Sequence, residues 1–595
     1  MTTIPAEATA TAARADQAQP EAGPRTAGPR TAGPPAVGPA TGPAADVVVE
    51  RWSFRPDVQV NGHDHDVRIA HRWGELPLGQ LSAPVAAALR RLGDAPVSLD
   101  ELAWAVLRGG GSRRRGEPDT DLAALHWLLD RLAGLVVRGI WSGGRQLIAA
   151  VPMTPRARLA SAAVGPDDPV RLSRFAYLRR RGDGLVAESP LSLYRLESTS
   201  PEATALLAAL GRAATVADLA AALPAGPAGP AGPAGPAAAA YDVTQAITSL
   251  LISAGLAHLT ADQERAGQER ASQERPDAGP LFAEDADPTL RQWSFHDLLF
   301  HSRSRLGRHD EDFGAMFPFI GELEPQPAVR PLPDGPRTPL PRPELPALLN
   351  RDATLTAVME ARRSIRDYDE RPPTLADLGE LLYRAARVRA TLGPEAERGM
   401  PYPATDRPYP SGGASYDLEL YLTVRRCEGL DAGGYFYDPL GHQLIRLSQP
   451  AGASQQLLTG AAIACGGATV PDVLVTLTAR FGRLGWKYRG MAYATTLKHV
   501  GVVYQTLYLV ATAMGLAPCG LGSGDADLAA RAFGLDWTRE SSVGEFMLGR
   551  RPAGYPDNPI AAAMASYRPA NDPQWAAEAA RAIAQSRSTP QQGAS

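Results

Sequence analysis

Between residues 495 and 515, apolar side chains fall at 497, 500, 503, 504, 507, 508, 510, 511 and 514, which covers nearly every face of a helix. A helix that is apolar all round belongs inside a large core or at a subunit interface. The apolar run Val500–Pro518 carries Gln505 and several Thr and Gly, with Lys498 and His499 just before it. It therefore reads as a buried helix and not as a membrane span. The rest of the chain has to supply layers that cover it.

The surrounding sequence, 341–560, alternates the two periodicities. Thr354–Arg362 and Thr374–Arg387 read as helices, the second with Thr374 as N-cap and Asp377 three residues on. Leu418–Val424, Val473–Phe481 and Ser542–Leu548 read as strands. Gly434–Tyr437 and His442–Leu447 form a hairpin around Asp438-Pro439-Leu440-Gly441. The fold class expected here is α+β.

At 595 residues the chain exceeds a single core, and roughly two to four domains are expected. Residues 1–45 are rich in Ala, Pro, Gly and Thr and read as a disordered tail. The AGP repeat at 225–236 is too short for a triple helix and reads as a flexible insertion. QERAGQERASQER at 263–275 lies in a linker, 261–340, and 561–595 is assigned as a C-terminal tail. Between these lie two segments of like grammar, 47–150 and 166–260, each with hairpin strands, three short helices and a wing-like strand. Their turns fall at Asn61-Gly62, Gly143-Gly144 and Gly182-Asp183-Gly184. That grammar is a winged helix-turn-helix, whose generic use is DNA binding.

A net charge of −4 gives no general attraction to nucleic acid or anionic membrane. The triple arginine 113–115 in a Gly-rich loop reads as a solvated turn. Cys427, Cys465 and Cys519 include no CxxC pair, so neither a disulfide framework nor a structural zinc site is expected. His296 and His301 lie off the i, i+4 register, and no HExxH or Walker A occurs, so no metal is expected. The absence of an apolar signal segment at the N-terminus fits a cytoplasmic protein.

Arg362, Arg363, Ser364 and Arg366 place three guanidinium groups and a hydroxyl within five residues, the donor set that a phosphate needs. Alone it is also an ordinary basic helix end. In Tyr409-Pro410-Ser411-Gly412-Gly413, two glycines let backbone amides approach a ligand. Cys519-Gly520-Leu521-Gly522-Ser523-Gly524 looks like a dinucleotide fingerprint but follows a helix and lacks the third glycine in register, so a Rossmann reading fails. Lys487 and Tyr488 sit just before the long helix, and His499 on that helix reads as a satisfied interior histidine.

In order and spacing, ARRSIRDY (361–368), YPSGGASYDLELYL (409–422), GWKYRG with TLKHVGVVYQTLYLVATAMGLAPCGLGSGD, and EFMLGRR (545–551) resemble the FMN-dependent nitroreductase superfamily. The likeness is specifically to azoline dehydrogenases of the SagB/ThcOx type, and WSFHDLLFHSRSRLGRHD (293–310) resembles a segment of the same subgroup. The resemblance implies a C-terminal nitroreductase-like FMN domain behind two tandem winged-helix-like peptide-clamp domains. It implies FMN as cofactor, a homodimer whose central helices pack across the two-fold, a precursor (leader) peptide as substrate, and a cyclodehydratase partner. Arg362, Arg363, Ser364 and Arg366 would hold the FMN phosphate, with Arg550, or the equally placed Arg551, adding a contact. Ser411, Gly412 and Gly413 would lie against the flavin ring, and Gly520, Leu521, Gly522 and Ser523 at its edge. Lys487 and Tyr488 match the pair assigned as catalytic, and which of them takes the proton stays open. So does the choice of thiazoline or oxazoline. Two alternatives also stand: a nitroreductase-fold oxidase of another peptide-derived or small substrate, and a non-catalytic peptide-binding scaffold.

Overall fold

A computed structural model describes residues 48–62, 65–109, 120–222, 236–259, 282–467 and 469–588. The N-terminal tail, nearly all of the AGP repeat, the QER repeat and the triple arginine lie outside them.

The strands Leu418–Val424 and Val473–Arg480 are buried along their whole length. They occupy the middle of a seven-stranded sheet whose order is Arg337–Pro339, Gln443–Arg446, Gly433–Asp438, Leu418–Val424, Val473–Arg480, Glu540–Arg550, Leu516–Gly520. Every neighbouring pair is antiparallel. A strand buried at every position must be covered on both faces, and the period of two assigns each face its residues. Leu418, Leu420, Leu422 and Val424 pack with Val500, Val503 and Leu507 of the helix Ala492–Met514 and with Leu378 and Leu382 of Leu375–Ala386. On the other face Tyr421 and Leu474 meet Leu457 and Phe533 of the helices Ala453–Ala464 and Ala526–Phe533.

The long helix ends at Gly515, whose φ of 74° is left-handed. The Leu375–Ala386 helix begins with a capping box between Thr374 and Asp377. One correction concerns the C-terminus. The segment assigned as a tail contains the helix Pro573–Ser588, which buries Ala579 and Ile583 against Ala357 and Val358. Its contact residues are mostly alanine, too small to give a sequence pattern.

In the N-terminal half, both segments show their expected strands and helices, but they do not form separate units. One six-stranded sheet runs Val49–Phe54, Val136–Ser142, Arg145–Pro152, Tyr194–Ser198, Gly184–Glu188, Tyr177–Arg181. Tyr194–Ser198 pairs directly with Arg145–Pro152, placing Leu196 opposite Ala150. Ile140, Leu147, Ile148 and Ala150 of the first segment consequently sit in the same core as Leu206, Leu219 and Leu251 of the second. The Arg145–Pro152 strand, buried over its last six residues, needs cover that its own segment cannot give.

Asp310, ahead of the seven-stranded sheet in the sequence, ties this six-stranded sheet together. Its carboxylate accepts from Arg195 Nη1 at 2.6 and 2.5 Å and pairs with Arg55 Nη2 at 3.0 Å, all three side chains being buried. Burial disfavours the charge, but Arg195 and then Arg55 outweigh it and hold the carboxyl below its usual range. Asp310→Asn leaves two buried guanidinium groups short of a counter-charge. Because Arg55 keeps Asp57 and Arg195 keeps Glu197, the expected loss is about 3 kcal/mol, the low end for a broken buried pair. Denaturant unfolding of the full chain measures it. In the wild type, this contribution is fully present above the ordinary carboxylate pKa and fades as pH falls through the lowered one. Among the described residues, no helix is long and apolar enough to cross a membrane.

Candidate active site

Strand Val473–Arg480 runs into the short helix Phe481–Gly485, and the chain then delivers Trp486, Lys487 and Tyr488. Two backbone contacts fix them from the linker side. Gly314–Ala315 pairs with Tyr488–Arg489, and the Phe317 amide donates to the Lys487 carbonyl at 3.0 Å. Arg483 fastens three neighbouring segments by donating to the carbonyls of Ser415 (2.8 Å), Gln326 (2.7 Å) and Pro403 (2.9 Å). Burial, then Arg480, pushes its guanidinium down to about 10.

Lys487 is 9% exposed, and its Nζ lies 4.5 Å from the ring centre of Tyr402, 5.2 Å from Tyr488 and 5.8 Å from Phe317. The amine donates to the Tyr402 hydroxyl, which donates to the Gly413 carbonyl at 2.7 Å. Gly413 has φ +60°, and a Cβ there would lie 2.0 Å from Lys487 Nζ and 2.9 Å from Tyr488 Oη. The left-handed conformation favours a glycine at this turn, and a Cβ there would displace the Lys487 amine. Both candidate bases meet at the turn.

The other side of the turn is held by the long helix. The Gly412 amide donates to His499 Nε2 at 2.8 Å, so the ring proton sits on Nδ1 and is given to Asp417 Oδ1 at 2.6 Å. Thr496 donates to the second Asp417 oxygen at 2.7 Å. His499 is bonded through both nitrogens, as an interior histidine should be, and it also positions the glycine turn. Ser411 Oγ accepts from the Tyr416 amide at 2.9 Å.

Farther along the same helix, Tyr508 joins the arginine cluster to the second glycine turn. Its hydroxyl bonds Ser364 Oγ at 2.8 Å and accepts from the Gly520 amide at 2.7 Å, and the Arg362 guanidinium lies 5.3 Å from its ring centre. The Ile365 amide donates to the Pro518 carbonyl at 2.9 Å, which sets 362–366 beside the strand Leu516–Gly520. That strand corrects the expectation that the turn follows a helix directly. Gly515 ends the helix, and five residues pair antiparallel with Glu540–Arg550, still without the parallel unit a Rossmann site needs.

The arginines differ in their freedom. No carboxylate pairs with Arg362 or Arg366 among the described residues. Arg366 is exposed beside Cys519, whose thiol is pushed up to about 11 by burial and then by Cys465. Arg363 donates to the carbonyls of Glu360 (2.6 Å) and Arg362 (2.8 Å). Arg550 pairs with Asp377 at 2.9 Å, reinforcing the capping box, and Arg551 pairs with Asp557 at 3.1 Å. Both are committed to fold contacts. Leu521 donates its amide to the Glu545 carbonyl at 2.8 Å; burial raises the Glu545 carboxyl despite a bond from Ser542. Gly522 and Ser523 are exposed.

Sequence reasoning missed Tyr402, Phe317, Asp417, Arg483 and Tyr508. Among the described residues no group of three or more His, Cys, Asp or Glu side chains is arranged to hold a metal.

Comparison with known proteins gives two family matches. The model described as cyanobactin oxidase ThcOx matches residues 170–310, and that described as the nitroreductase family matches 359–550. A curated protein of Methanocaldococcus jannaschii described as a nitroreductase is 32% identical over 169 residues, spanning 28% of this chain and 78% of that protein. A solved nitroreductase structure from Ralstonia eutropha is 21% identical, covering 38% of this chain and 99% of its own, with a TM-score of 0.28. The E. coli microcin synthetase McbBCD complex with truncated pro-MccB17 bound is similar at 25% identity over 31% of this chain and 66% of its own, with a TM-score of 0.26.

Proposed function

The chain belongs to the nitroreductase family, and from that premise we propose that it is an FMN-dependent dehydrogenase converting thiazoline or oxazoline rings of a ribosomally made peptide to thiazoles or oxazoles. One observation carries the reading: the polar ends of Lys487 and Tyr488 converge on the Gly413 turn, next to a strand contributed by the linker. That strand, Gly314–Ala315, comes just after the part of the chain, 170–310, that matches the cyanobactin oxidase model.

The residues present fit an FMN. Arg362 and Arg366 have guanidinium groups that no carboxylate neutralises among the described residues, and Ser364 adds a hydroxyl, a donor set suited to a phosphate dianion. Gly522 and Ser523, exposed at the adjoining turn, would offer backbone to it. When bound, FMN supplies the two-electron acceptor for hydride. Aromatising an azoline removes a proton from Cα and a hydride from Cβ, so the chain must provide a base beside the ring. Lys487 and Tyr488 are the groups at hand, and the amine is buried beside the Phe317 and Tyr402 rings. Dioxygen takes the two electrons and two protons back as hydrogen peroxide, so atoms and charge balance.

In this reading 47–150 and 166–260 bind the leader peptide, and the chain acts as a homodimer. The test begins with the visible spectrum of the purified chain, which should carry a flavin band. Incubation of an azoline peptide in air should then lower its mass by about two units per ring, one hydride and one proton. A colourless protein, or a yellow one that leaves the azoline untouched, overturns the reading.

A further inference from the structure

Lys487 and Lys498 are the only lysines of the chain, although Lys and Arg together number 60. Lys498 is exposed on the long helix, whereas Lys487 is buried, lacks a carboxylate partner among the described residues, and has Tyr402 as its hydrogen-bond partner. A guanidinium stays protonated near neutral pH, so an arginine in this place could not act as a base there.

We propose that Tyr402 is a positioning residue for Lys487, holding its amine against the glycine turn; this rests on the proposed dehydrogenase reading. The argument follows the hydroxyl's single proton. That proton goes to the Gly413 carbonyl at 2.7 Å, so the oxygen turns its lone pairs to Lys487 Nζ and accepts one N–H. The amine is thereby fixed by one hydrogen, and its remaining valences face the space by Gly413 and Tyr488 Oη. Tyr402 cannot easily swing away. Its ring packs against Phe317 at 6.2 Å and Trp486 at 6.3 Å between centres, and the next carbonyl, that of Pro403, is held by Arg483. The same hydroxyl couples the base to the backbone of the turn, which His499 and Asp417 anchor from the opposite side.

The test has two arms. In the first, full-length chain is treated with an acetylating reagent, and modification at 487 and 498 is followed by peptide mass; no azoline is needed. Wild-type Lys487 should react far more slowly than Lys498. In a Lys498→Arg background, Tyr402→Phe should speed acetylation of Lys487 about five- to tenfold, the scale of one lost hydrogen bond. If wild-type Lys487 labels as fast as Lys498, or Tyr402→Phe leaves its rate unchanged, the proposal is overturned. In the second arm, Tyr402→Phe should lower kcat for azole formation about 10- to 100-fold at unchanged KM and flavin content. An unchanged kcat in a wild type that does make azoles also overturns it. Faster labelling in a protein whose wild type makes no azole supports the positioning contact and rejects the dehydrogenase reading alone.

Discussion

Lys487→Ala and Lys487→Met are expected to form azoles about 10²–10⁴-fold more slowly than the wild type while keeping their flavin colour, the usual contribution of a positioned general base. The methionine variant matters because Lys487 also fills space among Phe317, Tyr402 and Tyr488. Alanine removes stem and amine, and methionine keeps most of the stem. Similar losses in both would assign the effect to the amine. Retention of flavin follows from the layout. His499 and Tyr508 are nine residues apart on one helix, or about 14 Å along its axis, so the amine and the arginine cluster do not share contacts. Tyr488→Phe tests the second candidate, since its hydroxyl has no hydrogen-bond partner among the described residues and is free for the substrate. Initial rates by product mass, beside visible absorbance for flavin content, decide it. Full activity in flavin-loaded variants of both residues would falsify the Lys–Tyr assignment.

What could be read from sequence was local or periodic. The apolar pattern located the long helix and alternation located the strand Leu418–Val424, although the strand is buried on both faces and the helix on only part of its surface, with Leu497 exposed. The Thr374–Asp377 capping box was legible since both halves lie within four residues. The site residues missed were those whose partners are remote. Tyr402 reaches Lys487 across 85 positions, Asp417 reaches His499 across 82, and Arg483 reaches Gln326 across 157. Tyr402 follows an irregular segment with no period to mark it, and Phe317 lies in what reads only as a linker. The shared N-terminal sheet was hidden for a related reason. Nothing local in Arg145–Pro152 reveals that its second edge pairs with Tyr194–Ser198. Alternation fixes which face is buried; it does not name the neighbouring strand.

The largest effect on cofactor binding is expected from Arg362→Ala combined with Arg366→Ala. If each guanidinium gives the FMN phosphate a charge-assisted bond of about 1.5–3 kcal/mol, the pair should weaken binding by about 10²–10⁴-fold. Arg366 is exposed and screened by salt, which places the result toward the lower end and makes it larger in dilute buffer. The other arginines separate cofactor binding from folding. Arg363→Ala should cost less, because Arg363 Nη1 already serves the Glu360 and Arg362 carbonyls. Arg550→Ala releases Asp377 from its ion pair at the start of the Leu375–Ala386 helix, so it should lower the melting temperature more than the flavin affinity. Flavin titration of the apo-protein, with thermal melting of the same samples, measures both quantities. A double variant that keeps full flavin occupancy through gel filtration would move the phosphate elsewhere. Flavin loss from Arg550→Ala at unchanged stability would show that Arg550 leaves Asp377 to reach the phosphate.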